Sequence, residues 1–320
     1  MTNLAIAAQG LRKSYRDKSG EKVVLDGVDL AVPEGTIFSL LGPNGAGKTT
    51  TVQILSTLIP ADGGDVQVAG HDLARSPDDV RGAIGVTGQY SAVDKLLTGE
   101  ENLLLMADLK HLSRREGRRK AAELLERFDL VDAARKPAQT YSGGMQRRLD
   151  LAMTLVGDPR LIFLDEPTTG LDPRSRRSMW QIVRELVAGG VTIFLTTQYL
   201  EEADQLADRI ALLDHGRLIA EGTAEELKRL IPGGHVSLRF TDGDELTGAL
   251  GALGAGFVDP SDDDRLTLQV PHDGGVAALR RLLARLEAAA IEPADLTVHT
   301  PDLDDVFLTL TGRQKQEATR

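Results

Sequence analysis

Apolar residues fall in two rhythms along this chain. Short, nearly uninterrupted apolar runs at 36–41, 161–164, 191–196 and 209–213 read as strands covered on both faces. Between them, apolar residues recur at three- and four-residue spacing over 49–58, 101–112, 119–128 and 175–187, which predicts helices with one buried stripe. Strand alternating with helix as far as about residue 230 is the rhythm of an α/β fold built on a largely parallel sheet. The stretch 97–140 is almost wholly helical in pattern, so it predicts a helical subdomain inserted into that alternation. Thr223 with Glu226 predicts a capping box opening a last helix, which Pro232, Gly233 and Gly234 end.

Beyond that break the pattern changes. Strands are predicted at 235–240, weakly at 256–258, and at 265–270 and 296–299, with helices at 244–253 and 275–289, an order of β-α-β-β-α-β. Leu303, Val306, Phe307 and Leu310 stand at i, i+3, i+4 and i+7 of a closing amphipathic helix. Its apolar stripe needs a cover, either its own small domain or a facing second copy, and the second is the one expected here. The expected division is an α/β domain at 1–232 and a small accessory α+β domain at 233–320.

Composition narrows the class. With 41% hydrophobic and 27% charged residues, the 320-residue chain has the make-up of a folded globular protein, which excludes wholesale disorder. No run approaches the length a membrane helix needs, and the first residues lack the basic-then-apolar order of a signal peptide. The absence of cysteine excludes disulfides, thiolate nucleophiles and cysteine-held zinc. A formal net charge of −11 argues against binding nucleic acid through its phosphates, so no nucleic-acid partner is expected. Most of that charge lies from His235 onward, with fifteen acidic against eight basic residues. Six histidines show no ligand spacing. Arg114, Arg115, Arg118, Arg119 and Lys120 form a basic run that reads as a solvated helix face, or as a contact for a partner or anionic headgroups.

Candidate chemistry begins at Gly42, Pro43, Asn44, Gly45, Ala46, Gly47, Lys48 and Thr49, a full G-x-x-x-x-G-K-[ST] pattern between a predicted strand and a predicted helix. In that setting, glycines turn successive backbone N–H groups toward phosphates and the helix N-terminus adds its dipole. Lys48 supplies a positive charge, the Thr49 hydroxyl a Mg²⁺ ligand, and Thr50 belongs to the same nucleotide-binding turn. The apolar run 161–164 ends in Asp165 and Glu166. Asp165 is expected to hold Mg²⁺ through a hydrogen-bonded shell, and Glu166 to take the proton of an attacking water.

Just ahead of that acidic strand stand Tyr141, Ser142, Gly143, Gly144, Met145 and Gln146. A phosphate loop, then a serine–glycine signature, then an acidic strand: this order resembles the nucleotide-binding subunits of ABC transporters. It covers roughly the first 230 residues. The family pattern is L-S-G-G-Q, so Tyr141 and Met145 depart from it while Ser142, Gly143 and Gly144 match. The resemblance implies a P-loop NTPase fold, ATP with Mg²⁺, and a homodimer in which the signature of one subunit closes on the nucleotide of the other. It implies that Gln89 touches Mg²⁺ and relays motion, that Asp172 crosses the dimer interface, and that Tyr15 stacks on adenine. A separate transmembrane permease would be the partner, and the cytoplasmic side of the cell membrane the location.

Most such subunits carry a histidine where this chain has Gln198, which hydrogen-bonds but cannot become a cation near neutral pH. The runs V-T-G-Q-Y, Y-S-G-G-M and L-T-T-Q-Y-L-E-E-A-D, with the closing L-D-D-V-F-L-T-L-T-G, are similar to the daunorubicin-resistance type of drug-exporter ATPase. Catalysis is thereby expected from Lys48, Glu166 and Gln198. A soluble ABC ATPase acting on ribosomes or DNA, and a polysaccharide or lipid exporter subunit, are the alternatives.

Overall fold

Three strands of the first unit are buried from end to end. The structure, a computed structural model, describes residues 3–17, 20–88, 92–231, 234–254, 257–258, 266–271, 276–299 and 301–317. The chain forms two units, Met1–Ala224 and Glu225–Arg320. The first begins with a long hairpin of β1 (Leu4–Asp17) and β2 (Gly20–Pro33), followed by β3 (Ile37–Leu41) and α1 (Lys48–Leu55). Next come β4 (Gly63–Val68), β5 (His71–Asp72), α2 (Pro77–Ala83) and β6 (Ile84–Thr87). Helices α3 (Gly99–Leu109), α4 (Arg114–Arg127) and α5 (Gly143–Thr154) lead to β7 (Leu161–Asp165). Then α6 (Pro173–Ala188), β8 (Thr192–Thr197), α7 (Leu200–Leu206), β9 (Arg209–Asp214) and β10 (Arg217–Gly222) follow, and α8 (Ala224–Lys228) begins at the division and lies otherwise in the second unit.

Six strands form one sheet in the order β10-β9-β3-β8-β7-β6, parallel except for the β9–β10 hairpin. Every residue of β3, β7 and β8 is buried, as expected of a parallel sheet covered on both faces. Phe38 stacks on Phe194 with ring centroids 5.6 Å apart inside one of the two large apolar clusters of this unit. The other cluster packs α3, α4, α5 and α6 against the same sheet.

The antiparallel sheet β2-β1-β4-β5 was not anticipated. Its β1–β2 hairpin runs through several register shifts, and each shift reverses which residues point inward, so no clean alternation survives in the sequence. Helix starts also differ from expectation. α3 and α4 open at Gly99 and Arg114 because Thr98 with Glu101, and Ser113 with Glu116, form complete capping boxes. α1 stops at Leu55 rather than 58, and Thr57 takes a left-handed φ of 65°. Within 97–140 the remaining described helical segments are single turns of tight helix, Val131–Ala133 and Ala138–Thr140.

The second unit contains β11 (His235–Arg239), α9 (Gly243–Leu253), β12 (Phe257–Val258), β13 (Thr267–Pro271), α10 (Val276–Ala288), β14 (Asp295–His299) and α11 (Leu303–Glu317). Its sheet, β12-β13-β11-β14, is antiparallel throughout and packs α9 and α10 on one apolar cluster. Leu303 and Val306 of the closing stripe are buried, and Phe307 and Leu310 half-buried. The contact division at Ala224 lies ahead of the expected boundary, and 232–233 fall outside the described residues. Among the described residues no helix is long and apolar enough to cross a membrane.

Candidate functional site

β3 delivers the chain to the glycine-rich turn at the carboxyl end of the parallel strands, where such sheets place their ligands. Two glycines there are dictated by crowding. A Cβ on Gly42 would meet the Leu213 carbonyl oxygen at 2.2 Å, and one on Gly47 would meet the Leu25 side chain at 2.6 Å. Gly47 also caps α1 with a φ of 113°, open to glycine and strained for other residues. A cavity of about 240 Å³ opens beside the turn, lined by Pro43, Asn44, Gly45, Gly47, Lys48, Thr49, Thr50 and Glu166 together with Lys22 and Val24 of β2. Gly42 and Ala46, predicted to touch the ligand, do not line it. Gly42 gives its carbonyl to Lys48, and that of Ala46 accepts the Gly216 N–H.

Lys48 is 5% exposed, its Nζ donating to the carbonyls of Gly42 at 2.7 Å and Pro43 at 3.1 Å. Burial lowers its pKa, against the opposing pull of Glu166 and Asp165. The Glu166 carboxylate lies 3.9 Å from Nζ and accepts from the Thr169 hydroxyl at 3.2 Å. Glu166 holds a left-handed φ of 49°, a conformation that costs a non-glycine residue about 1 kcal/mol or more. Its N–H donates to the Thr196 carbonyl, which ties the turn to β8. Asp165, 3% exposed at the end of β7, accepts from Thr196 and, at 3.4 Å, from the Thr49 hydroxyl. Thr49, which lines the cavity, thus faces Asp165, which does not, and the pair brings a hydroxyl and a carboxylate oxygen together.

A second group forms around the starts of α5 and α6. Ser142 caps α5, its hydroxyl accepting the Met145 N–H at 3.2 Å, with Gly143 and Gly144 in the first turn. A Cβ on Gly143 would meet only Leu171, at 4.0 Å, so space is open above it. On Gly144 it would strike the Ser175 hydroxyl at 2.7 Å, so that glycine admits α6. Asp172 caps α6, accepting from the N–H groups of Arg174 and Ser175 and from the Ser175 hydroxyl, and these bonds hold its carboxyl below the usual range. Among the described residues, no hydrogen bond joins Ser142, Gly143, Gly144 or Asp172 to residues 42–50.

The departure at Tyr141 has a local cause. Its ring is buried, its hydroxyl donates to the Ala133 carbonyl at 2.7 Å, and burial raises its pKa. Gln198 is half-buried in the turn between β8 and α7. Tyr15 is 44% exposed and sits opposite Lys22 in the β1–β2 register, so a cavity-lining residue is its cross-strand neighbour. Gln89 lies outside the described residues.

Sequence reasoning missed Arg147. Its guanidinium donates to the carbonyls of Pro167 at 2.9 Å, Gly88 at 3.0 Å and Asp165 at 3.2 Å, and pairs with Asp150 at 3.3 Å. One side chain of the signature helix therefore locks the ends of β6 and β7 together. Lys22 was missed as well, because it belongs to the hairpin whose register the sequence hides.

Comparison with known proteins agrees with this geometry. The family described as ABC transporter matches residues 25–169. The chain is 49% identical over 316 residues to a daunorubicin resistance ATP-binding protein of Streptomyces coeruleorubidus, covering 99% of this chain and 98% of that one. It is 47% identical to a doxorubicin resistance ATP-binding protein of Mycobacterium tuberculosis, covering 99% and 96%. Among solved structures, a dimeric ATP-binding cassette in a post-hydrolysis state with ADP and Pi superposes with a TM-score of 0.63 at 28% identity, over 68% of this chain and 98% of that one.

Proposed function

The chain belongs to the ABC transporter family, in its daunorubicin-resistance ATP-binding group, and from that premise we propose how its residues drive transport. Members of the family hydrolyse ATP, dimerise and work with a membrane permease. In our reading this subunit docks at the cytoplasmic face of the membrane on a separate permease and powers the export of a drug or antibiotic. The single observation that carries the reading is a buried ammonium, Lys48, set 3.9 Å from the Glu166 carboxylate, with both residues lining the cavity beside the glycine-rich turn.

Each group has a task that its surroundings permit. Backbone N–H groups of 43–50 and the start of α1 receive the phosphates, and Lys48 neutralises them. Thr49 and Asp165 would hold Mg²⁺, since a hydroxyl and a carboxylate oxygen in contact suit a hard cation that takes its remaining ligands from phosphates and water. The ion, when bound, offsets negative charge building on the phosphates. Glu166 takes the proton from water, and Gln198 orients that water or the γ-phosphate through its amide. Ser142, Gly143 and Gly144 would close on the nucleotide of the second subunit, with Asp172 beside them. The lack of any hydrogen bond between them and residues 42–50 among the described residues, and the open space over Gly143, support that arrangement. Tyr15 would stack on the base, and Gln89 would complete the Mg²⁺ contacts and link to the permease. The α+β unit is accessory in this reading.

Two substitutions test it. Lys48→Ala should abolish nucleotide binding. Glu166→Gln should retain binding and trap a nucleotide-bound dimer without turnover, read by sedimentation and phosphate release. Wild-type hydrolysis by the glutamine variant would show that Glu166 is not the proton acceptor.

A further inference from the structure

Two adjacent acids open α7, and they meet opposite fates. The side chain of Glu201 is 67% exposed, whereas Glu202 is 1% exposed. A buried carboxylate is expensive, and an apolar side chain of the same volume is often as stable or more so. What Glu202 touches is therefore informative. Its Oε1 accepts from the Thr168 hydroxyl at 2.8 Å and from the Trp180 indole N–H at 3.0 Å. The Thr197 hydroxyl and the Arg176 charge also favour its ionised form, yet burial outweighs them and pushes its pKa up.

Glu202 Oε2 is buried without a hydrogen-bond partner among the described residues, and the groups around this carboxyl come from three parts of the site. Thr168 stands two residues after Glu166, and Thr197 immediately before Gln198. Trp180 and Arg176 lie on α6, the helix that Asp172 caps. Arg176 also lies over the Tyr199 ring, 5.1 Å from its centroid, on the other side of Gln198. The Gln198 turn is thus tied to this cluster at Tyr199, whose carbonyl accepts the Glu202 N–H at 3.2 Å and whose own N–H donates to the Thr197 hydroxyl at 2.9 Å.

We propose that Glu202 is a positioning residue that sets the Gln198 turn in register with the Glu166 loop and with the helix capped by Asp172. A displacement of α6 at Asp172, as when a second subunit presses there, is then carried through Trp180 and Glu202 to α7 and Gln198. The proposal rests on the reading of Gln198 and Glu166 as parts of the hydrolytic site.

The experiment measures kcat, KM and ATP affinity of the full chain in four variants: Glu202→Ala, Glu202→Gln, Gln198→Ala and Gln198→Ala/Glu202→Ala. Glu202→Ala should lower kcat roughly tenfold while ATP affinity stays within about twofold, a loss confined to the transition state. Glu202→Gln keeps an acceptor oxygen and should recover kcat to within about threefold of wild type. In the Gln198→Ala background, adding Glu202→Ala should cost less than about twofold, because residues acting through one another are not additive. A wild-type kcat in Glu202→Ala, a loss in affinity instead of kcat, or the full cost repeated without Gln198 would each overturn the proposal alone. A wild-type rate in Gln198→Ala overturns it together with the reading of Gln198. If Glu202→Ala does not fold, Trp180→Phe removes one donor and carries the same test: a severalfold loss of kcat that disappears without Gln198.

Discussion

Replacing Gly99 by alanine places a methyl carbon 2.2 Å from the Tyr141 hydroxyl oxygen and 3.2 Å from the ring carbon that bears it. Neither partner has slack. The hydroxyl is bound to the Ala133 carbonyl at 2.7 Å in a buried setting, and Gly99 is fixed as the first residue of α3 behind a complete capping box. Relief requires the ring to swing away and leave that carbonyl without its donor. Overpacking costs about 1–3 kcal/mol, and a buried polar group deprived of its partner about 1–3 kcal/mol more. The better helix propensity of alanine offsets at most about 1 kcal/mol. A net loss of about 1–6 kcal/mol is expected. Tyr141→Phe removes the colliding oxygen, so it should cost about 1 kcal/mol by itself and nothing, or less than nothing, in the Gly99→Ala background. Urea unfolding of the four proteins can be followed by the fluorescence of Trp180, the chain's one tryptophan, which is buried in the same apolar cluster as Tyr141. Additive midpoints, or a Gly99→Ala protein as stable as wild type, would refute the packing argument.

Gln198→His should retain or raise ATP turnover and Gln198→Ala lower it at least about tenfold, roughly 1.4 kcal/mol of barrier; equal rates in all three would make the position a bystander. Gly144→Ala should lower turnover by pushing α6 from α5, and Ser175→Ala, which removes the atom 2.7 Å from the new methyl, should restore it. Because burial raises the Glu202 carboxyl, its protonated form is favoured by folding; that stability is complete below the unfolded carboxylate value and is lost as pH rises through the folded one. Glu202→Gln does not titrate, so its melting temperature should gain on wild type as pH rises, and a constant difference would contradict the shift.

The parallel sheet was legible because burial on both faces leaves unbroken apolar runs such as Ile162 to Leu164. The phosphate turn was legible because its glycines answer to fixed obstacles, the Leu213 carbonyl among them. Partners that are backbone carbonyls stayed hidden. Arg147 binds three of them, and every residue has one, so nothing in its neighbourhood marks it. Glu202 was hidden by its company: in a run of two acids, nothing local says which one turns inward. Asp172 was read as an interface residue, while its carboxylate also carries a local load as a helix cap. The β1–β2 hairpin escaped because its irregular register spoils the period-two pattern.

The left-handed backbone at Glu166 has an evolutionary consequence. Glycine adopts that conformation without penalty and asparagine with little, so drift at this codon toward either would gain about 1 kcal/mol of stability. Selection for folding alone therefore pulls residue 166 away from glutamate, and under its proposed role as proton acceptor the demand for turnover is what holds it in place. A lineage that kept the fold but stopped spending nucleotide should lose this carboxylate early, and a substituted position 166 behind an intact phosphate turn would mark a descendant that binds without hydrolysing.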